Sequence, residues 1–266
     1  SRGNAIILIL RDITELERLE AIRRDFVRNV SHEIRTPLTA IGGSVETLME
    51  GAIDNPNDAK KFLSIIRRHT TRVEQIVNGL LDLVRLEEVK GENLLSMESA
   101  SAISLLSSAV EACSEYAKAE GVTLSLSNST GEAEVNVNRS LFEQALINLI
   151  DNAIKYSKSG SEVSVGISRD EGVVRFNVVD NGRGISEGHL PRIFERFYRV
   201  DESRVRAGAH LQEMKGAGLG LSIVKHVARV HGGEIEVQSQ VNVGSTFSIL
   251  IPENEIALLT KTVGLK

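Results

Sequence analysis

The segment Asn148–Tyr156, with the sequence NLIDNAIKY, lies in an apolar-periodic stretch that predicts a helix over residues 139–157. Four of its polar residues are spaced i, i+4, i+7 and i+8 and share one continuous helical face: Asn148, Asn152, Lys155 and Tyr156. Asparagine is a weak helix former, so two on one face of an otherwise apolar helix point to a binding role. Amide oxygens suit Mg²⁺ and a lysine suits a phosphate, although a solvated polar stripe would show the same spacing.

Downstream, a carboxylate stands at the end of a predicted strand. The sequence Asp180–Gly184, DNGRG, follows the strand predicted over 172–180. The carboxylate could accept a hydrogen bond from a ligand amine, such as that of a purine, while the glycines let the backbone pass close by. A simple Asn-Gly turn is the alternative interpretation.

A glycine-rich motif opens the next predicted helix, which covers 219–231. Residues 216–221 have the sequence GAGLGL, and glycine-rich backbone at a helix N-terminus can cradle phosphates. A dinucleotide-binding fingerprint would need a strand directly before the motif, and none is predicted there. The preceding stretch, 181–220, is long, charged and glycine-rich with little periodicity, which is typical of functional loops.

Helical and strand patterns mix throughout the part of the chain after residue 93. Further helices are predicted over 102–120 and further strands over 122–127, 162–169, 234–239 and 245–251. Because strands and helices are distributed unevenly, we expect an α+β two-layer sandwich with helices on one face of a mixed sheet.

The N-terminal part predicts two long amphipathic helices, over 11–50 and 59–88, joined by the turn-rich residues 51–58. They would form an antiparallel helical hairpin, and the second carries a heptad seam from Phe62 to Leu83 that includes His69. A single hairpin leaves its apolar stripe exposed to water. We therefore expect two hairpins to pair into a dimeric four-helix bundle, which makes the protein a homodimer.

The first helix contains the sequence SHEIRTPL at Ser31–Leu38. His32 and Thr36 lie one turn apart on the same face, Glu33 is adjacent, and Pro37 predicts a bend just beyond the histidine. A neutral imidazole is a competent nucleophile near pH 7, and Glu33 is placed to accept or orient its other proton. A surface histidine in a charged helix would have the same spacing.

Composition excludes several classes of protein. The 266 residues are 41% hydrophobic and 25% charged, which excludes wholesale disorder, and no apolar run is long enough to cross a bilayer. A single cysteine, Cys113, forms no internal disulfide and indicates a reducing, cytoplasmic compartment. A net charge of −5 without tryptophan argues against a nucleic-acid partner. The opening SRGN suggests a fragment of a longer protein, without membrane contact of its own.

Five motifs in one order, SHEIRTPL, NLIDNAIKY, DNGRG, FERFYRV and GAGLGL, resemble the two-component sensor histidine kinases over about residues 24–252. The resemblance implies a dimerisation and histidine-phosphotransfer domain at 14–90. It also implies a catalytic ATP-binding domain of the Bergerat fold at 91–252, followed by a tail at 253–266. The sequence IILILRDIT at Ile6–Thr14 resembles the end of a PAS sensor domain, so residues 1–13 are assigned to the tail of an upstream sensor.

The resemblance also implies roles for individual residues. His32 matches the phosphoacceptor, Glu33 the adjacent general base, and Thr36 the residue used in dephosphorylating the regulator. Asn148 matches a Mg²⁺ ligand. The positions that match ATP-binding residues are Asn148, Asn152, Lys155, Tyr156, Asp180, Gly182, Gly184, Ile185, Arg199, Gly216, Gly218, Leu219, Gly220, Leu221 and Thr246.

The implied activity is that of an ATP-dependent protein-histidine kinase that uses Mg²⁺. It would phosphorylate His32 and pass the phosphoryl group to an aspartate on the receiver domain of a response regulator, with phosphatase activity toward that regulator. A Bergerat-fold ATPase that moves a clamp, or a catalytically silent dimeric scaffold, is the alternative. The loop at 203–216, which corresponds to the lid over the ATP site, is longer than the family pattern leads us to expect.

Overall fold

The computed structural model describes residues 12–88, 96–128, 133–200 and 218–253. The chain forms two compact units, residues 1–74 and residues 75–266. The predicted sensor tail up to residue 11, the predicted boundary at 90/91, the long loop 203–216 and nearly all of the predicted C-terminal tail lie outside the described residues. They stay predictions.

The first unit contains the predicted helical hairpin. Helix α1 spans Thr14–Met49, a short 3₁₀ helix spans Ala52–Asp54, and helix α2, which begins in this unit, spans Pro56–Glu88. Gly51 turns the chain between them with a φ of +117°, a conformation that favours glycine. Helix α2 begins three residues earlier than predicted because Pro56 suits a first helical position, where no backbone N–H is needed.

Pro37 lies inside α1 and is buried, and the helix continues through it to Met49. Pro37 removes the backbone donor that would bond to the carbonyl of Glu33. The hydroxyl of Thr36 donates to the carbonyl of His32 at 3.2 Å, so the turn beside the proline gains a side-chain hydrogen bond. The proline thus lies just after the turn that carries His32, and it does not end the helix.

The second unit is the predicted α+β sandwich. Its elements are β1 (Glu98–Ser101), α3 (Ala102–Glu120), β2 (Thr123–Asn128), β3 (Glu134–Val137), α4 (Arg139–Tyr156), β4 (Glu162–Asp170), β5 (Val173–Asp180), α5 (Gly220–Val230), β6 (Glu234–Gln240) and β7 (Gly244–Pro252). The main sheet has the strand order β2-β4-β5-β7-β6, in which the β2–β4 pair is parallel and the other pairs are antiparallel. A two-stranded antiparallel sheet, β1-β3, was not predicted.

The core of this unit forms where α4 covers the sheet. Alternate residues of β5 are buried, and the ring of Phe176 meets that of Phe142 on α4 edge to face at 4.9 Å. The apolar side of α4 includes Leu146, Leu149 and Ile150, each at most 1% exposed. Packing of that side fixes the rotation of the helix, and with it the direction in which the polar side points.

No helix within the described parts of the chain is both long enough and apolar enough to span a membrane.

Candidate active site

A cavity of about 310 Å³ in the second unit lies where α4, the end of β5 and the start of α5 meet. It has the size of a small-molecule site, and both polar and apolar side chains line it. The predicted residues that line it are Asn148, Asn152, Lys155, Tyr156, Asp180, Gly184, Ile185, Arg199, Gly218, Leu219, Gly220 and Leu221.

Asp180 ends β5 with a side chain that is buried in this cavity. The residue is 6% exposed, and its Oδ1 accepts the backbone N–H of Gly182 at 2.8 Å. Burial raises the pKa of the carboxyl group, while hydrogen bonds from Gly182 and Ser245 oppose that rise. The result is a buried acceptor whose position is fixed by hydrogen bonds.

The two glycines after Asp180 allow a close approach of backbone. A Cβ on Gly182 would lie 2.4 Å from the carbonyl oxygen of Tyr156. Gly184, at φ +67°, would place a Cβ 2.0 Å from the carbonyl oxygen of Gln240. Gly182 was predicted to contact the nucleotide, but it does not line the cavity; it lies against the backbone of Tyr156, the last residue of α4.

The strand register puts Ser245, and not the predicted Thr246, beside Asp180. Asp180 pairs with Ser245 across the sheet, and the serine hydrogen-bonds to its carboxylate. Successive side chains of a strand point to opposite faces, so Ser245 and Phe247 line the cavity while Thr246 does not. The buried alternate residues Phe247, Ile249 and Ile251 are the sequence signal that could have identified Ser245.

The polar face of α4 faces the first residue of α5. A Cβ added to Gly220 would lie 3.7 Å from both the Oδ1 of Asn148 and the Nδ2 of Asn152. The Nδ2 of Asn148 is buried and has no hydrogen-bond partner in the described part of the chain. An orphaned amide at the N-terminus of a helix fits a bound Mg²⁺–phosphate group, whose oxygens would accept from the nitrogen while the amide oxygen binds the metal.

Cationic side chains surround the rest of the cavity. Lys155 is ion-paired with Asp151 one turn before it, and both residues line the cavity. The guanidinium of Arg183 stacks on the ring of Tyr156 at 4.6 Å. Arg183 was not predicted because it occupies an unassigned position of the DNGRG motif. Other lining residues that the sequence did not indicate include Gln144, Ile193, Tyr198, Val200, Ile223 and Phe247.

Two motifs that are separated in sequence meet at the cavity edge. Phe197 of FERFYRV has a φ of +65°, and its N–H donates to the carbonyl of Gly218 at 2.8 Å. Gly218 has a φ of +73°, and a Cβ there would lie 2.8 Å from the carbonyl carbon of Phe197. A left-handed backbone conformation is strained for phenylalanine, and strained residues of this kind cluster at functional sites. The predicted Gly216 lies outside the described residues.

The predicted phosphoacceptor site lies on α1 in the first unit. His32 is exposed, and the carboxylate of the adjacent Glu33 is ion-paired with Arg72 at 2.6 Å. His69 is half-buried, and burial, helped by Arg68 and Arg72, lowers its pKa. The surroundings of His69 thus disfavour its charged form, whereas His32 is exposed. In the described ranges no cluster of three or more side chains has the composition of a metal site.

Comparison with known proteins yields two family matches. Residues 22–89 match the His Kinase A (phospho-acceptor) domain, and residues 137–255 match the histidine kinase-, DNA gyrase B- and HSP90-like ATPase. The chain belongs to the sensor histidine kinases. This membership confirms the resemblance that the five motifs carry. The first match overlaps the helical hairpin, and the second overlaps most of the α+β sandwich.

Relatives of this histidine kinase span most of its length. It is 36% identical over 247 residues to the sensor-like histidine kinase SenX3 of Mycolicibacterium smegmatis, covering 93% of this chain and 62% of that protein. It is 32% identical over 253 residues to the sensor protein SrrB of Staphylococcus aureus, covering 95% and 42%. The chain therefore corresponds to less than two thirds of either relative.

Two solved histidine kinases share its fold. The structure of ThkA in complex with the response regulator protein TrrA matches with a TM-score of 0.70 and 26% identity, covering 91% of this chain and 64% of that one. Full-length ShkA in complex with AMPPNP matches with a TM-score of 0.60 and 26% identity, covering 86% and 46%.

Proposed function

We propose that this chain binds ATP, phosphorylates its own His32 and transfers the phosphoryl group to an aspartate on a response regulator. The observation that carries the proposal is the presence, on one chain of the sensor histidine kinase family, of a donor site and an acceptor site. The cavity around Asp180 supplies the donor site, and the exposed His32 beside a fixed carboxylate supplies the acceptor.

The cavity has the groups that an adenine nucleotide requires. Asp180 would accept a hydrogen bond from the exocyclic amine of adenine, and guanine would place a carbonyl against the same carboxylate. Lys155, Arg199 and the N-terminus of α5 would face the phosphates. Asn148 would hold Mg²⁺, which when bound neutralises charge on the phosphate oxygens.

The proposed chemistry involves His32 and two further side chains of the same helix, those of Glu33 and Thr36. One ring nitrogen of the neutral imidazole attacks the γ-phosphorus, an N–P bond forms, and the bond between phosphorus and the bridging oxygen breaks as ADP leaves with the electron pair. Glu33 orients or accepts the proton of the other ring nitrogen. Thr36, one turn away, is the residue that we assign to dephosphorylation of the regulator.

The first unit supplies the surfaces for the proposed partners. Several large apolar side chains of the hairpin have exposed fractions between 40% and 81%: Val27, Leu38, Val45, Met49 and Leu63. Pairing of two hairpins into a four-helix bundle would bury many of them, so we propose a homodimer. The complex of ThkA with a response regulator supports a receiver domain as the second partner. A cytoplasmic location follows from this function, with any membrane anchor in other segments of a longer protein.

The test is incubation of the chain with γ-labelled ATP and Mg²⁺. We expect label that stays on the protein, is lost in acid and survives alkali, and is absent from His32→Gln. His69→Gln is the matched control, since it removes a histidine from the facing helix, and it should keep the label. Hydrolysis of ATP without retained label would favour the clamp ATPase, and neither hydrolysis nor label would favour a silent scaffold.

A further inference from the structure

Arg72 on α2 reaches across the hairpin to the glutamate beside the proposed phosphoacceptor. Its Nη2 donates to Oε2 of Glu33 at 2.6 Å, although the two residues are 39 positions apart in the sequence. The side chain of Arg72 is 8% exposed and that of Glu33 is 29% exposed. The pair is thus largely withdrawn from water, unlike the mobile surface pairs that contribute little to structure.

The surroundings of Arg72 explain why this contact persists. A guanidinium so far removed from water needs a negative partner, and the carboxylate of Glu33 supplies one. His69, one turn earlier on α2, has a pKa lowered by burial and by the arginines at positions 68 and 72, so it adds no further positive charge. The carboxylate is therefore held by a buried charge from the opposite helix.

We infer that Arg72 is a positioning residue for the phosphorylation of His32. It holds the carboxylate of Glu33, the residue that follows His32, in one orientation, and it acts on the reaction only through Glu33. This inference rests on the proposed function, because it concerns the base of that reaction.

The geometry of the ion pair shows how the positioning works. The bond to Arg72 uses Oε2 of Glu33. A carboxylate has two acceptor oxygens, so Oε1 can accept the proton of the imidazole. Without Arg72, the glutamate side chain would sample several rotamers and turn toward water. Misplacement of a catalytic group by about 1 Å can lower the rate about 100-fold, so loss of Arg72 should lower the rate of phosphorylation measurably.

The experiment is a double-mutant cycle in the full chain, with autophosphorylation measured over a range of ATP concentrations. The variants are Arg72→Met, Arg72→Lys, Glu33→Gln and the double variant of Arg72→Met with Glu33→Gln. Arg67→Met is the matched control, because it removes an exposed arginine from the same helix. Circular dichroism checks folding, and Arg72→Gln, which retains N–H donors, replaces Arg72→Met in the cycle if the latter unfolds.

We expect Arg72→Met to lower kcat about 10–100-fold with the KM for ATP within about 3-fold. Arg72→Lys should recover most of the rate, and Arg67→Met should match the wild type. In the Glu33→Gln background, removal of Arg72 should cost nothing further, because its effect passes through the carboxylate. Wild-type kcat in Arg72→Met, or the same fold-loss in both backgrounds, would overturn the inference. Absence of phosphorylation in the wild type would instead refute the proposed function.

Discussion

The proposed acceptor site and the proposed nucleotide cavity are assembled in opposite ways. His32, Glu33 and Thr36 come from one turn and a half of a single helix, and the histidine is exposed. The cavity takes residues from α4, β5, α5 and β7, and its central carboxylate, Asp180, is 6% exposed. An acceptor that must meet ATP and then a second protein has to be accessible. A pocket that recognises a base gains selectivity by excluding water from an acceptor that cannot donate.

If this contrast is correct, changes in the two sites will separate phosphorylation from ATP binding. The largest effect concerns Asn148→Ala, which should lower phosphorylation about 1,000-fold or more because the proposed Mg²⁺ ligand is lost. It should also abolish the Mg²⁺-dependent part of ATP affinity. His32→Gln should show no phosphorylation, because the acceptor is absent, while its ATP affinity stays close to that of the wild type. Titration of a fluorescent ATP analogue with and without Mg²⁺ distinguishes them, and equal affinities in both variants would contradict the assignment of Asn148.

A smaller effect is expected for Asp180→Asn, which alters the base-recognition group. An unpaired donor in a buried site costs about 1–3 kcal/mol, so ATP affinity should fall about 5–150-fold. The preference of the wild type for ATP over GTP should also decrease. The same titration with both nucleotides measures both quantities, and an unchanged affinity and preference would show that adenine does not bind at Asp180.

Much of this site follows from short-range sequence patterns. The spacing of Asn148, Asn152 and Lys155 on one helix, and the position of Asp180 at a strand end, depend only on the period of each element. Strand β1 could not be predicted, because its sequence ESAS has no β-branched or aromatic residue. Strand β3, with the sequence EVNV, alternates valine with polar residues but is only four residues long. The contact of Arg72 with Glu33 depends on how two helices pack, and no local pattern encodes it.

Register is the finest detail that the sequence left open, and a pair of neighbouring variants tests it. Ser245→Ala removes a hydrogen bond to the carboxylate of Asp180, so ATP affinity should fall about 2–10-fold. Thr246→Ala, on the opposite face of β7, should bind ATP as the wild type does. The reverse order of affinities by calorimetry would place Thr246 in the cavity and shift the strand by one residue.

The smallest effect concerns stability and not binding, and it arises from His231. Its Nδ1 bonds to the carbonyl of Val227 at 2.7 Å, and its Nε2 accepts the N–H of Asn138, at the start of α4, at 2.9 Å. Burial lowers the pKa of His231 below its ordinary value of 6.5, so the unfolded chain binds a proton more readily. The contribution of His231 to the free energy of unfolding should therefore be fully present above pH 6.5. It should decrease as the pH falls below that value. Urea denaturation at pH 7.5 and 5.5 should show a smaller decrease in His231→Gln than in the wild type.

The central claim is that ATP bound in the second unit phosphorylates the exposed histidine of the first. Its most direct test is mass spectrometry of the wild-type chain after incubation with ATP and Mg²⁺, with digestion and separation at alkaline pH to preserve phosphohistidine. We predict one phosphoryl group on the tryptic peptide Asn29–Arg35, and fragmentation should assign it to His32. A phosphoryl group on any other residue, or an unmodified chain that has bound ATP, would contradict the account.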